Sequence, residues 1–185
     1  PGRSELSNSE GLIRIRDNGP GLPPDLAERS VRAGYSGNKN PFDTLGLFGM
    51  GFNISTGKLG RVTKFLTAQR MDEQALQVVI DLIDMQERQS YKVPVARIPK
   101  PDELDHGTVI EVSSPWPAGN PNFGFIRTLV GYGKPTIRRE IGRRYATILR
   151  KRPRRILVNN DPCDPYEHRV GPNAPSFDRR GWARV

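Results

Sequence analysis

The alternation of apolar and polar positions divides the chain into short elements. Residues 11–16 place Leu12, Ile13 and Ile15 against the charged Arg14 and Arg16, so a strand is expected that stops at Asp17. Pro23-Pro24-Asp25 opens a short helix, with Asp25 as a candidate cap and Leu26, Ser30 and Val31 along one side. Residues 34–45 are polar, with Gly37, Asn38, Asn40 and Pro41, and form a loop. Gly49 or Gly51 begins a helix that reaches about Gly57. Strands are expected at 62–68, 76–85, 91–98 and 108–112, separated by a polar turn at 69–73 and a loop at 99–107. Sequential strands with short connections predict an antiparallel meander. Residues 137–149 carry apolar side chains at 137, 141, 145, 148 and 149, a helical spacing, with Arg139, Arg143 and Arg150 opposite and Pro153 as the stop. Residues 156–158 read as a strand and 159–162 as its turn, while 1–10 and 163–185 show little periodicity.

Length and charge change this picture in two places. At 185 residues the chain suits one domain with part of a second. Its net charge is +9, yet residues 127–155 hold eleven Lys or Arg against the single acid Glu140. That block carries +10, and the rest of the chain is nearly neutral. Arg138, Arg139, Arg143 and Arg150 are therefore candidates to bind nucleic-acid phosphates, against the plainer reading of a solvated helix face. Few aromatics lie among them, so stacking on single strands is not indicated. Cys163 is the only cysteine, which fits a reducing compartment. No apolar run approaches the ~20 residues that span a bilayer. With no leader pattern at its start, the chain is expected to be intracellular, in the cytoplasm or in a eukaryotic nucleus. His106 is expected to be exposed in a turn, and His168 stands alone, so no metal site is expected. Trp116 reads as a core or edge anchor.

The candidate chemistry lies in residues 17–51. Asp17 ends a strand and begins Asp17-Asn18-Gly19-Pro20-Gly21. An ionised carboxylate only accepts hydrogen bonds, so it suits the exocyclic amine of adenine and disfavours the keto group of guanine. Gly19 and Gly21 let the backbone turn and approach a flat ring. The same pentapeptide is also a good turn sequence with no further role. Gly46-Leu47-Phe48-Gly49-Met50-Gly51 precedes a helix, whose free N–H groups can wrap phosphate oxygens. Its order is neither the dinucleotide-binding fingerprint nor a Walker A loop.

These motifs, followed by His106-Gly107-Thr108, resemble the GHKL superfamily, which takes in type II topoisomerases, the large heat-shock chaperone, histidine kinases and the mismatch-repair protein MutL. Gly34-Tyr35-Ser36 and the glycine segment are most similar to the branch shared by that chaperone and the MORC proteins. The resemblance covers roughly residues 11–112, and more loosely 137–166, with Asp17 and Gly46 separated by 29 positions. It implies an α+β class: a two-layer Bergerat fold with a mixed, mostly antiparallel sheet and helices on one face. It implies an ATP-binding domain over 1–126, and over 127–185 a basic helix and strand that begin a transducer-like region. By this resemblance Asp17 contacts the adenine amine, Gly19 and Gly21 shape the base pocket, and Thr108 supports the base directly or through a water shared with Asp17. Gly46, Leu47, Phe48, Gly49, Met50, Gly51 and Phe52 would follow the phosphates of ATP or ADP. Ser36 and Lys39 resemble the polar residues of the family's lid, with Lys39 either reaching a phosphate or standing solvated.

The family's first motif, a helix bearing a Glu that activates water and an Asn that holds Mg2+, has no counterpart with the right spacing in Glu5, Asn8 or Glu10. No catalytic residue is assigned. Two readings follow. One is a module of a slow ATPase in which nucleotide closes a lid and drives homodimerisation, with Mg2+ held in the full protein. The other is a degenerate nucleotide-binding scaffold that contacts nucleic acid through its basic helix.

Overall fold

The computed structural model describes residues 12–35, 50–150 and 154–166. The chain forms two compact units, Pro1–Arg127 and Thr128–Val185. Ser36, Lys39, Gly46, Leu47, Phe48, Gly49 and His168 lie outside the described residues, as do the candidates Glu5, Asn8 and Glu10.

The first unit is built on a five-stranded sheet. Its strands are β1 (Ile13–Asp17), β2 (Val62–Ala68), β3 (Gln74–Asp81), β4 (Val95–Pro99) and β5 (Gly107–Ser113), in the order β1-β5-β2-β3-β4. Every pairing among the described strands is antiparallel. The meander is therefore real only for β2-β3-β4; β5 leaves it and inserts between β1 and β2. Leu104 shows why the return path is stable. It is fully buried against Leu66, Ala68, Ala75 and Val109, pinning the 100–106 connection over one face of the sheet. Burial of one such side chain contributes about 2 kcal/mol.

The helices lie on the other face. Phe65, Leu76, Val78 and Ile80 point there, with the two-residue period of a strand. They are covered by Ala27 of α1 (Pro24–Ser30), Phe52 of α2 (Gly51–Leu59), and Leu82 and Met85 of α3 (Leu82–Glu87). Phe52 and Phe65 meet edge to face, with ring centroids 6.2 Å apart. Ala27 is the fully buried residue of α1, its small side chain letting the helix approach the sheet. One expectation for α1 is corrected: Asp25 does not cap it; Pro23 occupies the N-cap and makes no side-chain cap bond.

The expected strand over 76–85 is cut short. Asp81 accepts hydrogen bonds from the N–H groups of Ile83 (3.0 Å) and Asp84 (3.2 Å), and so starts α3 in the middle of the apolar run. The strand expected over 91–98 begins only at Val95. Trp116 donates from Nε1 to Gly57 O at 2.6 Å and anchors the end of α2.

The second unit carries most of α4 (Phe125–Arg144), α5 (Ala146–Arg150) and a hairpin of β6 (Leu157–Val158) and β7 (Asp161–Pro162). The helix expected over 137–149 begins earlier and is divided. Gly133, at φ 68° and ψ 160°, interrupts α4, and α4 and α5 separate at Tyr145. Asn159 and Asn160 form the hairpin turn with φ of 47° and 69°, so Asp161-Pro162 is the return strand and not part of the turn. Lys134 closes this unit with an ion pair to Asp161 at 2.6 Å, which holds the Asp161 carboxyl below its ordinary range. Cys163 is buried, and burial pushes its thiol pKa up. Among the described residues no helix is long and apolar enough to cross a membrane.

Candidate functional site

The strand register assembles the site. Asp17 pairs with Thr108, and Thr108 pairs with Thr67. Cross-strand partners share a face, so the three polar side chains form a row over β1, β5 and β2 on the helix-covered side. Such a row is costly in a core unless its groups are bonded. Thr67 is fully buried and satisfied: it accepts from Leu22 N–H at 2.9 Å, donates to Gly107 O at 3.0 Å and lies 3.3 Å from Thr108 Oγ1. Asp17 is exposed, and its Oδ1 accepts from Gly19 N–H at 2.8 Å. Its second oxygen makes no hydrogen bond among the described residues. The row thus ends in a carboxylate oxygen free to accept.

Glycines fit the backbone tightly around this row. Gly21 has φ 75°, and a Cβ there would stand 2.0 Å from Ala68 O. Gly107 has φ 106°, and its Cβ would lie 2.2 Å from Asp17 O. At Gly19 a Cβ would come within 2.8 Å of Asp17 Oδ1. The 17–21 segment is therefore locked between the ends of β2 and β5.

His106 fastens the outer side of the same turn. The expectation of an exposed histidine is corrected: its side chain is 20% exposed. Nδ1 lies 2.7 Å from Gly19 O, which can only accept, so Nδ1 carries the proton. Nε2 then accepts from Arg70 at 2.7 Å. An open depression of about 570 Å³ lies beside this turn, lined by Asn18, Gly19, Pro20, His106 and the β2–β3 connection. Its lining includes neither Asp17 nor Thr108, so it neighbours the polar row without being the row's own pocket.

Of the glycine-rich segment 46–52, the described residues are Met50, Gly51 and Phe52. Met50 is the N-cap of α2, and the first intrahelical bond runs from Ile54 N–H to Met50 O at 3.0 Å. The N–H groups of Gly51, Phe52 and Asn53 have no intrahelical acceptor, by helix geometry. Gly51 is exposed, while the Phe52 ring turns into the core, leaving its backbone as the part available to a ligand. Asn53 Nδ2 is buried with no hydrogen-bond partner among the described residues. A buried donor in that state costs about 1–3 kcal/mol until it finds an acceptor.

Asp17, Gly19, Gly21 and Thr108 are thus brought together, while Met50, Gly51 and Phe52 stand at the start of α2, where Phe52 packs on Phe65 of β2. Thr67 and Asn53 were not singled out in the sequence, and His106 was read there only as part of a motif and as an exposed turn residue. Thr67 had a signal: it falls in phase with Phe65 on the apolar face of a strand. Among the described residues no group of three His, Cys, Asp or Glu could hold a metal ion.

No protein-family model matches the chain. It is similar to two proteins of Arabidopsis thaliana, Protein MICRORCHIDIA 7 (36% identical over 58 residues) and Protein MICRORCHIDIA 4 (41% over 49 residues). These matches cover 30% and 26% of this chain, and 8% and 6% of those proteins. Among solved structures it is similar to the Aquifex aeolicus MutL ATPase domain complexed with ADP, at 14% identity and a TM-score of 0.41, over 71% of this chain and 43% of that one. A mutant form of the same domain matches at 15% identity and a TM-score of 0.39, over 74% and 43%.

Proposed function

We propose that this chain is an ATP-binding module of the GHKL type. The observation that carries the reading is the Asp17–Thr108–Thr67 row, set beside glycines whose Cβ positions are already filled by backbone or carboxylate oxygen. A free carboxylate oxygen next to a threonine hydroxyl suits a base edge that donates, as the adenine amine does. Backbone N–H groups at the start of α2 and the orphaned Asn53 amide suit phosphate oxygens. The similarity to two microrchidia proteins agrees with the sequence motifs.

In this reading residues 1–126 bind nucleotide. Ser36 and Lys39 belong to a lid that closes over it, and Gly46, Leu47, Phe48 and Gly49 continue the phosphate contacts. Residues 127–185 relay the nucleotide state to a partner or second copy. Hydrolysis in the full protein is slow. The Mg2+ expected in the full protein is assigned to none of the described residues.

Asp17→Asn tests the site cleanly. The asparagine oxygen still accepts from Gly19 N–H, so the turn survives, while the other position becomes an amide that opposes the adenine amine. Losing a charge-assisted hydrogen bond of about 1.5–3 kcal/mol predicts ATP binding weaker by about 10- to 150-fold. Unchanged affinity would remove Asp17 from the site.

The scaffold reading keeps one supporting observation. Arg138 is occupied within its unit, donating to Pro162 O at 2.8 Å and lying 3.7 Å from Asp164, and Arg150 donates to Tyr166 O at 2.7 Å. Arg139 and Arg143 are exposed, one helical turn apart, and make no hydrogen bond or ion pair among the described residues. If this face contacts nucleic acid, these two make the contact. Reversing both charges should reduce the salt dependence of duplex binding by about two phosphate contacts; a variant with the wild-type slope would exclude them.

A further inference from the structure

We infer that Thr67, which would not itself touch the ligand, sets the base selectivity of the site by fixing the direction of the Thr108 hydroxyl proton. This rests on the nucleotide reading above. A threonine hydroxyl has one proton to give and two lone pairs to offer. Gly107 O can only accept, and it stands 3.0 Å from Thr67 Oγ1, so the Thr67 proton is committed there. The N–H of Leu22 occupies one Thr67 lone pair at 2.9 Å. Thr67 is fully buried and no water reaches it to rearrange this pattern. What remains is a lone pair facing Thr108 Oγ1 at 3.3 Å, so the Thr108 hydroxyl donates inward to Thr67. Its own lone pairs are left facing outward along the row toward Asp17.

The row therefore presents only acceptors: the free oxygen of Asp17 and the hydroxyl oxygen of Thr108. With the 6-position of the base set against the row, adenine offers amine hydrogens to both acceptors, whereas guanine would bring its keto oxygen against lone pairs alone. Thr67 is a positioning residue, because it removes the one proton that could otherwise swing out and accommodate guanine.

Thr67→Val keeps the shape and deletes the hydroxyl, freeing the Thr108 proton to point outward. Titration of the chain with ATP and GTP should show the ATP preference of the wild-type chain narrowing by about tenfold, one hydrogen bond's worth. Thr67→Ser should restore it, which a loss of fold stability alone would not explain. Thr108→Val, at a half-buried position, serves where Thr67→Val does not fold; it removes the outward lone pairs and should narrow the ratio to the same degree. A Thr67→Val chain, or failing that a Thr108→Val chain, that binds ATP with unchanged preference overturns the inference and leaves the nucleotide reading standing. A wild-type chain that binds neither nucleotide overturns both.

Discussion

At position 21 two separate facts demand glycine. Its φ of 75° lies where L side chains are strained, and a Cβ would meet Ala68 O at 2.0 Å. Gly21→Ala must therefore shift the end of β2 as well as the turn, and thermal or urea unfolding should register a loss of at least about 2 kcal/mol. A loss under about 0.5 kcal/mol would show that the turn is not locked as described. At the same scale, Asp17 was legible from its place at a strand end before two glycines. Thr67 was harder to see because a threonine in a strand is usually only a good strand former. What gives it a role is the register with Thr108, which depends on β5 inserting beside β2, a pairing between residues 40 and 41 positions apart. His106 was misread for the same reason: its partner Gly19 is 87 positions away.

Individual elements show where local pattern suffices and where it fails. The pattern gave β2 with the bounds found in the structure, since it has clear turns on both sides. The run at 76–85 is apolar almost throughout, so periodicity could not separate strand from helix. Asp81 decides it by accepting hydrogen bonds from the backbone amides of Ile83 and Asp84. Asp81→Ala should therefore cost about 1 kcal/mol in an unfolding titration, while Asp81→Asn or Asp81→Ser should cost much less. If alanine and asparagine behave alike, α3 is held by packing of Leu82 and Met85 and not by its cap. The break in α4 had a visible cause in Gly133 followed by Pro135. A helical spacing beginning at Ile137 hid it, because the expected helix started beyond the break.

For the molecule as a whole, the α+β class with helices on one face was legible through the family resemblance, while the antiparallel pairing of β2, β3 and β4 follows from alternation and turn chemistry. The strand order does not, because nothing local marks β5 as the strand that enters between β1 and β2. The charge imbalance was likewise visible in composition, but its meaning changed. Two of the arginines offered as phosphate ligands hold backbone carbonyls near the β6–β7 hairpin, which composition cannot distinguish from exposed ones. The account stands on the polar row being an adenine site. Calorimetric titration of the wild-type chain with ATP and with GTP, each with and without Mg2+, tests that directly. It should show saturable binding of one ATP per chain and clearly weaker binding of GTP. Absence of saturable ATP binding, or equal affinity for the two nucleotides, would contradict it.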